Sequence, residues 1–245
     1  MRRKLAGMLL KRLAVGLAAL AAATVSAFST GTAPVSVAVN YNVLRNGLHV
    51  AVVNERFESS AGHYRIVSRS TAVGIAALIK PRPVTLTSAG RVTPEGLKPE
   101  QFEGSRGADD PRQASADFDW SGGSLTLRHD GKAQRVELPT GTQDRLSAMY
   151  QFMFYSYGEQ RELRFPMTNG RKLDRYRYAI KGEEEIDTSL GRMKTLHLVK
   201  QREPDDSETE IWLAPAQRYL PVKMLIVESD GVRYEQFVTH LDIRP

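Results

Sequence analysis

From Val35 onward, apolar and polar residues alternate in short runs separated by turn dipeptides. In "ASADFDW", Ala114, Ala116, Phe118 and Trp120 share one face, and Ser115, Asp117 and Asp119 share the other. In "RYRYAI", Tyr176, Tyr178 and Ile180 alternate with Arg175 and Arg177. A period of two sends successive side chains to opposite faces, so both runs predict strands with one wet face. "PVKMLIVES" differs, because Val222, Met224 and Ile226 oppose Leu225 and Val227. That run predicts a strand covered on both sides. Asn46-Gly47, Asp130-Gly131, Asn169-Gly170 and Asp230-Gly231 each fall between such runs. These pairs accept the positive φ of a type I′ turn and predict hairpins. Gly122-Gly123 and Ser189-Leu190-Gly191 add two weaker turn signals. Residues 103–113 and 202–208, rich in charge, Gly, Pro and Ser, predict exposed loops. The whole predicts a mainly β fold: a single curled antiparallel sheet, an open or half barrel of roughly ten or more strands.

One stretch breaks the rhythm. "TGTQDRLSAMYQFMFYSYG" (140–158) concentrates Tyr150, Phe152, Phe154, Tyr155 and Tyr157 around Met149 and Met153. Leu146, Met149, Tyr150, Met153 and Tyr157 follow helical spacing, with Phe152 and Tyr155 on the opposite side. A helix apolar nearly all round is buried on more than one side. The pattern therefore predicts one buried apolar helix near 142–157, capped by Thr142, with Asp144 in its first turn facing the helix dipole. In a curled sheet its place is the concave side. Two outcomes stay open there: a helix that lines a groove, and a helix that simply plugs the sheet.

The N-terminus changes the charge balance. Arg2, Arg3, Lys4, Lys11 and Arg12 precede the apolar run Leu13–Val25 and the small-residue pattern Val25-Ser26-Ala27. That pattern predicts a cleaved secretory signal over 1–27, since about 20 apolar residues would be needed to span a bilayer. Residues 28–34 are expected to be a tether, and 35–245 one β-rich domain. Five of the 34 Lys and Arg lie in the leader, leaving 29 against 28 Asp and Glu. A near-neutral remainder leaves no field to recruit nucleic acid. No cysteine is present, which excludes lipoprotein acylation and disulfides and leaves stability to the core.

The phrases "YNVLRNGLHVAVV" (41–53), "HYRIVSRSTAVGIAALI" (63–79), "GTQDRLS" (141–147), "KGEEEIDTSLGRMKTLHLVK" (181–200) and "EIWLAPAQRYLPVKM" (210–224) carry a resemblance. With them the chain resembles exported bacterial proteins of the domain of unknown function 3108 family. The resemblance implies an exported, periplasmic, β-rich protein with no established activity. The curled sheet with its helix is also similar to the half barrel of periplasmic lipoprotein carriers, an analogy of fold that transfers no function.

Candidate chemistry is sparse. His49, His63, His129, His197 and His240 show no metal-ligand spacing. No Gly-x-Ser-x-Gly elbow and no glycine-rich phosphate loop occurs. Asp117 and Asp119 share a face, but every i, i+2 strand pair does, so a solvated face explains them. Glu183, Glu184 and Glu185 read as a wet edge. No catalytic, metal or cofactor residue is therefore expected, and the chain reads as a non-enzyme.

The functional expectation is a binder of an apolar or amphipathic ligand, a lipid or lipid-linked envelope molecule, in a groove of the sheet. Leu146, Met149, Tyr150, Met153, Phe154 and Tyr157 are the expected groove-lining residues, with Asp144 as polar contact. The alternative is a non-enzymatic envelope scaffold or protein-partner-binding module with a filled core.

Overall fold

The computed structural model describes residues 33–79, 82–105, 107, 113–201 and 207–245. The expected leader (1–27), most of the tether (28–34) and the middles of the loops at 103–113 and 202–208 lie outside the described residues.

Strands dominate. The first half of the chain holds β1 (Ser36–Arg45), β2 (Leu48–Ser60), β3 (His63–Ala72), a short helix α1 (Ile75–Ile79), β4 (Val84–Thr93), β5 (Gly96–Ser105), β6 (Ala114–Asp119), β7 (Ser124–His129) and β8 (Lys132–Glu137). A two-residue strand β9 (Gln143–Asp144) and the helix α2 (Ser147–Gln151), extended by a 3₁₀ turn at Phe152–Phe154, separate the halves. The second half holds β10 (Glu162–Thr168), β11 (Leu173–Thr188), β12 (Gly191–Lys200), β13 (Glu208–Ala214), β14 (Leu220–Val227) and β15 (Arg233–Arg244).

The fifteen strands form one sheet in the order β8-β7-β6-β5-β4-β3-β2-β1-β15-β14-β13-β12-β11-β10-β9. Pairing is antiparallel throughout except between β9 and β10, which run parallel. β1 pairs with β15 at the centre, so the halves fan outward from a seam made by the first and last described strands. The sheet curls without closing, and its outermost strands β8 and β9 do not pair. β8 is mostly exposed and carries Lys132, Arg135 and Glu137, charges that discourage pairing with another chain at an edge.

Alternation is visible in the burial. β6 buries Ala114, Ala116 and Phe118 while Asp119 is exposed, and β11 buries Tyr178 while exposing Arg175 and Arg177. β14 is buried over Leu220–Val222 and half-buried beyond, with apolar side chains on both faces. Two of the four expected type I′ pairs have both residues at positive φ: Asn46 with Gly47 (48° and 80°) and Asp130 with Gly131 (50° and 71°). The other two turn differently. Asn169 Oδ1 accepts the backbone N–H groups of Arg171 and Lys172, and Asp230 Oδ1 accepts that of Val232. These side-chain turns need positive φ only at Gly170 and Gly231.

The helix is shorter than the 142–157 expected from periodicity. Its cap is also different. Thr142 lies before β9, and its hydroxyl donates to the Pro139 carbonyl at 2.6 Å. Asp144 does the capping, accepting the N–H groups of Leu146 at 2.8 Å and Ser147 at 2.9 Å. The physical reason is that Gln143 and Asp144 are drawn into pairing with Met167 and Thr168, which holds the backbone extended up to the cap.

Candidate functional site

The interior is built around α2. On one side Leu146, Tyr150 and Phe154, spaced four residues apart, pack into a cluster with Phe57, Tyr64, Ile66 and Phe102 from the first half of the sheet. The Tyr150 ring stacks on Phe57 with centroids 5.3 Å apart. On the other side Ala148, Phe152 and Tyr155 pack with Leu163, Phe165, Tyr178 and Leu198 from the second half. Phe152 meets Phe165 and Tyr178 edge-on at 6.3 and 6.2 Å. The concentration of aromatics is thus the joint between two half-sheets, with one helix face given to each.

A third side is polar and is fixed to the turn before β5. Gln151 accepts the Leu97 N–H through Oε1 at 2.7 Å and donates from Nε2 to the Glu95 carbonyl at 2.9 Å. Gln143 adds a bond to the Leu97 carbonyl at 2.8 Å. The remaining side carries Arg145, Met149 and Met153, again four apart. Arg145 is exposed and both methionines are half-buried, so packing leaves this stripe partly open.

Of the six side chains expected to line a groove, Leu146, Tyr150, Phe154 and Tyr157 are buried in packing. The Tyr157 ring lies 4.2 Å from that of Tyr219, and its hydroxyl donates to the Phe152 carbonyl. Met149 and Met153 alone retain appreciable exposure.

The inner face of the sheet changes along its strands. At one end Val37, Val39 and Tyr41 of β1, Val222 of β14, Ile211 of β13 and Val238 of β15 are buried. Two residues on, Val43, Met224, Thr209 and Gln236 are only half-buried, as are Ile226 and Tyr234 beyond them. The register brings these residues to the same end, since Val43 pairs Gln236, Gln236 pairs Met224, and Thr209 pairs Ile226. The inner face is fully buried at one end of the curl and only half-buried at the other, the open end.

Two acids point inward. Asp144 is fully buried, and Ser88 Oγ donates to its Oδ2 at 2.6 Å. Burial pushes the Asp144 carboxyl above its ordinary value, against the pull of its hydrogen bonds. Glu55, between Val53 and Phe57 on β2, accepts from Ser68 Oγ at 2.9 Å and Tyr150 Oη at 3.3 Å. Burial raises its carboxyl too, opposed by these bonds and by the charge of Arg145. Sequence reasoning missed Glu55. Its position between two apolar residues of the same inward face was the available signal.

The other candidates are tied into local structure. Asp117 pairs with Arg128, and Asp119 caps the β6–β7 turn by accepting from Ser121 Oγ and the Gly122 N–H. His197 stacks on Trp212 at 4.5 Å and contacts Glu210 at 2.7 Å and Glu184 at 3.4 Å, while Trp212 Nε1 donates to Glu184. Among the described residues no group of three or more His, Asp or Glu could hold a metal ion. No helix among them is long and apolar enough to cross a membrane.

These features define a class of protein: a curled, unclosed β-cup with an apolar helix held inside it. The chain belongs to the family described as "Protein of unknown function (DUF3108)", whose pattern matches residues 36–236. Two solved structures are similar to it. One is a candidate lipoprotein from Parabacteroides distasonis, 10% identical, with a TM-score of 0.34 over 86% of this chain and 96% of that one. The other is a candidate exported protein with a YmcC-like fold from Bacteroides fragilis, 9% identical, with a TM-score of 0.31 over 89% of this chain and all of that one (100%). No curated protein matches the chain.

Proposed function

We propose that the protein is an exported, periplasmic, non-enzymatic envelope protein that holds an apolar or amphipathic molecule, a lipid or lipid-linked precursor, at the open end of its cup. The carrying observation is the half-buried stripe of Met149 and Met153 on an otherwise packed interior helix. Methionine adapts to irregular apolar partners, and the mouths of curled sheets are common ligand sites. Half-buried Val43, Met224, Ile226 and Tyr234 supply apolar walls. Arg145 and Glu55, close enough to feel each other's charge, give a polar handle beside the methionines. The export assignment rests on the leader pattern of residues 1–27.

A second reading is favoured by the burial of Leu146, Tyr150, Phe154 and Tyr157: a filled-core scaffold that works only through its outer surface. Native mass spectrometry of protein isolated from its own envelope, with titration of an apolar fluorescent probe, separates the two. The cup reading expects a co-purifying amphiphile and probe binding that weakens in M149Q/M153Q. Protein that is uniformly empty and binds no probe leaves the scaffold.

A further inference from the structure

Apart from Val35 and Leu190, the large aliphatic side chains left in water among the described residues gather in one place. Ile75, Leu78 and Ile79 are 73%, 85% and 75% exposed, and all three belong to α1. The Val73 N–H donates to the Val50 carbonyl at 2.9 Å, which folds this connection beside the β1–β2 turn, where Leu48 is 63% exposed. Singly exposed aliphatics are ordinary, but a cluster on one loop marks an interaction site. The loop stands on the rim of the open end, because Ala72 pairs Ala51 and Ala51 pairs Val43.

The stretch of chain that carries it has charge of one sign. Between residues 59 and 94 the chain carries Arg65, Arg69, Lys80, Arg82 and Arg91 and no Asp or Glu. Arg45, Arg69 and Arg82 are exposed near the same rim. Acidic Glu228 and Asp230 sit in the β14–β15 turn, beyond β1, so the basic side is the β3–β4 side. An oily tip with a collar of arginines matches the boundary between acyl chains and anionic headgroups.

We propose that this rim docks on the surface of an anionic bilayer, with Ile75, Leu78 and Ile79 entering the headgroup boundary and Arg45, Arg69 and Arg82 facing the phosphates. The inference deepens the cup reading by naming the surface from which the open end takes its amphiphile. Docking is nonetheless measurable by itself.

The test is cosedimentation of the processed exported protein with vesicles of phosphatidylcholine, alone and mixed with phosphatidylglycerol. Binding to the anionic vesicles is expected, weakening as salt rises. The variant I75S/L78S/I79S should bind roughly tenfold more weakly or worse, with an unchanged unfolding midpoint because the side chains are exposed. Each of R45Q, R69Q and R82Q should weaken binding about fivefold. Absence of vesicle binding, or equal binding by wild type and the triple serine variant, overturns the proposal. So does a dimer that the serine variant splits while lipid binding is absent, which gives the patch to a second copy of the chain. Vesicle binding without probe binding keeps the docking and removes the cup reading; probe binding without vesicle binding does the reverse.

Discussion

The Ser88 hydroxyl donates to the Asp144 carboxylate at 2.6 Å, joining the middle of β4 to the start of α2. With the Leu146 and Ser147 N–H groups on its other oxygen, that carboxylate both starts the helix and ties it to the sheet. Asp144→Ala leaves two buried amide donors without an acceptor and the Ser88 hydroxyl with only the Tyr64 hydroxyl, 3.0 Å away, so it should cost about 3 kcal/mol. Asp144→Asn keeps an oxygen for the amides and should cost clearly less. Urea unfolding midpoints check the ranking, and equal midpoints for the two variants would show that Asp144 does not cap.

Stability should fall as pH rises through the mildly acidic range. Asp144 and Glu55 both have carboxyl pKa values raised by burial. The folded state therefore holds protons that the unfolded chain has released, and by linkage stability drops between the unfolded and folded values. In D144N/E55Q this part of the slope should disappear. Unfolding free energies at several pH values decide it, and a wild-type slope retained in the double variant assigns the dependence to other groups.

Gly96 lies at φ 112°, and a Cβ there would overlap the side-chain amide of Gln151. Gly96→Ala should strain the backbone and displace the two bonds that dock α2 on β5, for a loss of about 2–4 kcal/mol. Gly191→Ala is the matched control, since it has a similar positive φ of 104° with open space around it. Equal losses in the two would mean that Gln151 does not hold the helix in place.

Tyr150 lends its ring to the Phe57 stack and its hydroxyl to Glu55. Tyr150→Phe keeps the ring and should cost about 1 kcal/mol. Tyr150→Ala opens a cavity between helix and sheet and should cost about 3–5 kcal/mol. Thermal unfolding separates them. A near-neutral Tyr150→Ala would mean that the helix side facing the first half of the sheet is not packed.

Period-two runs made the strands legible, because one buried face forces alternation, and Ala114–Phe118 and Arg175–Tyr178 show it cleanly. The helix was legible as doubly apolar because Tyr150 and Phe152 serve different half-sheets. Its start was not, since Thr142 and Asp144 both look like caps and the choice is made by the long-range pairing of β9 with β10. Ala61, at φ 49°, turns the β2–β3 hairpin with none of the usual dipeptide signals. Exposure of Ile75, Leu78 and Ile79 was invisible too, because an apolar run in a β-rich sequence reads as interior. Nor could spacing tell Met149 and Met153 from the buried Leu146 and Tyr150, as that depends on which way the helix is rolled.

The seam between β1 and β15 sets an order on folding. Strands β1–β8 can pair with one another as soon as they exist, yet among the described residues the only strand that joins them to the remainder by sheet hydrogen bonds is Arg233–Arg244. Until that last strand is delivered, two unequal sheets stand with raw inner edges, and Val39 and Tyr41 lack their partners Leu241 and Val238. A ribosome or translocon that releases the chain N-terminus first delivers this keystone only after β1–β14, and a chain lacking Arg233–Arg244 is left as two fans and no vessel.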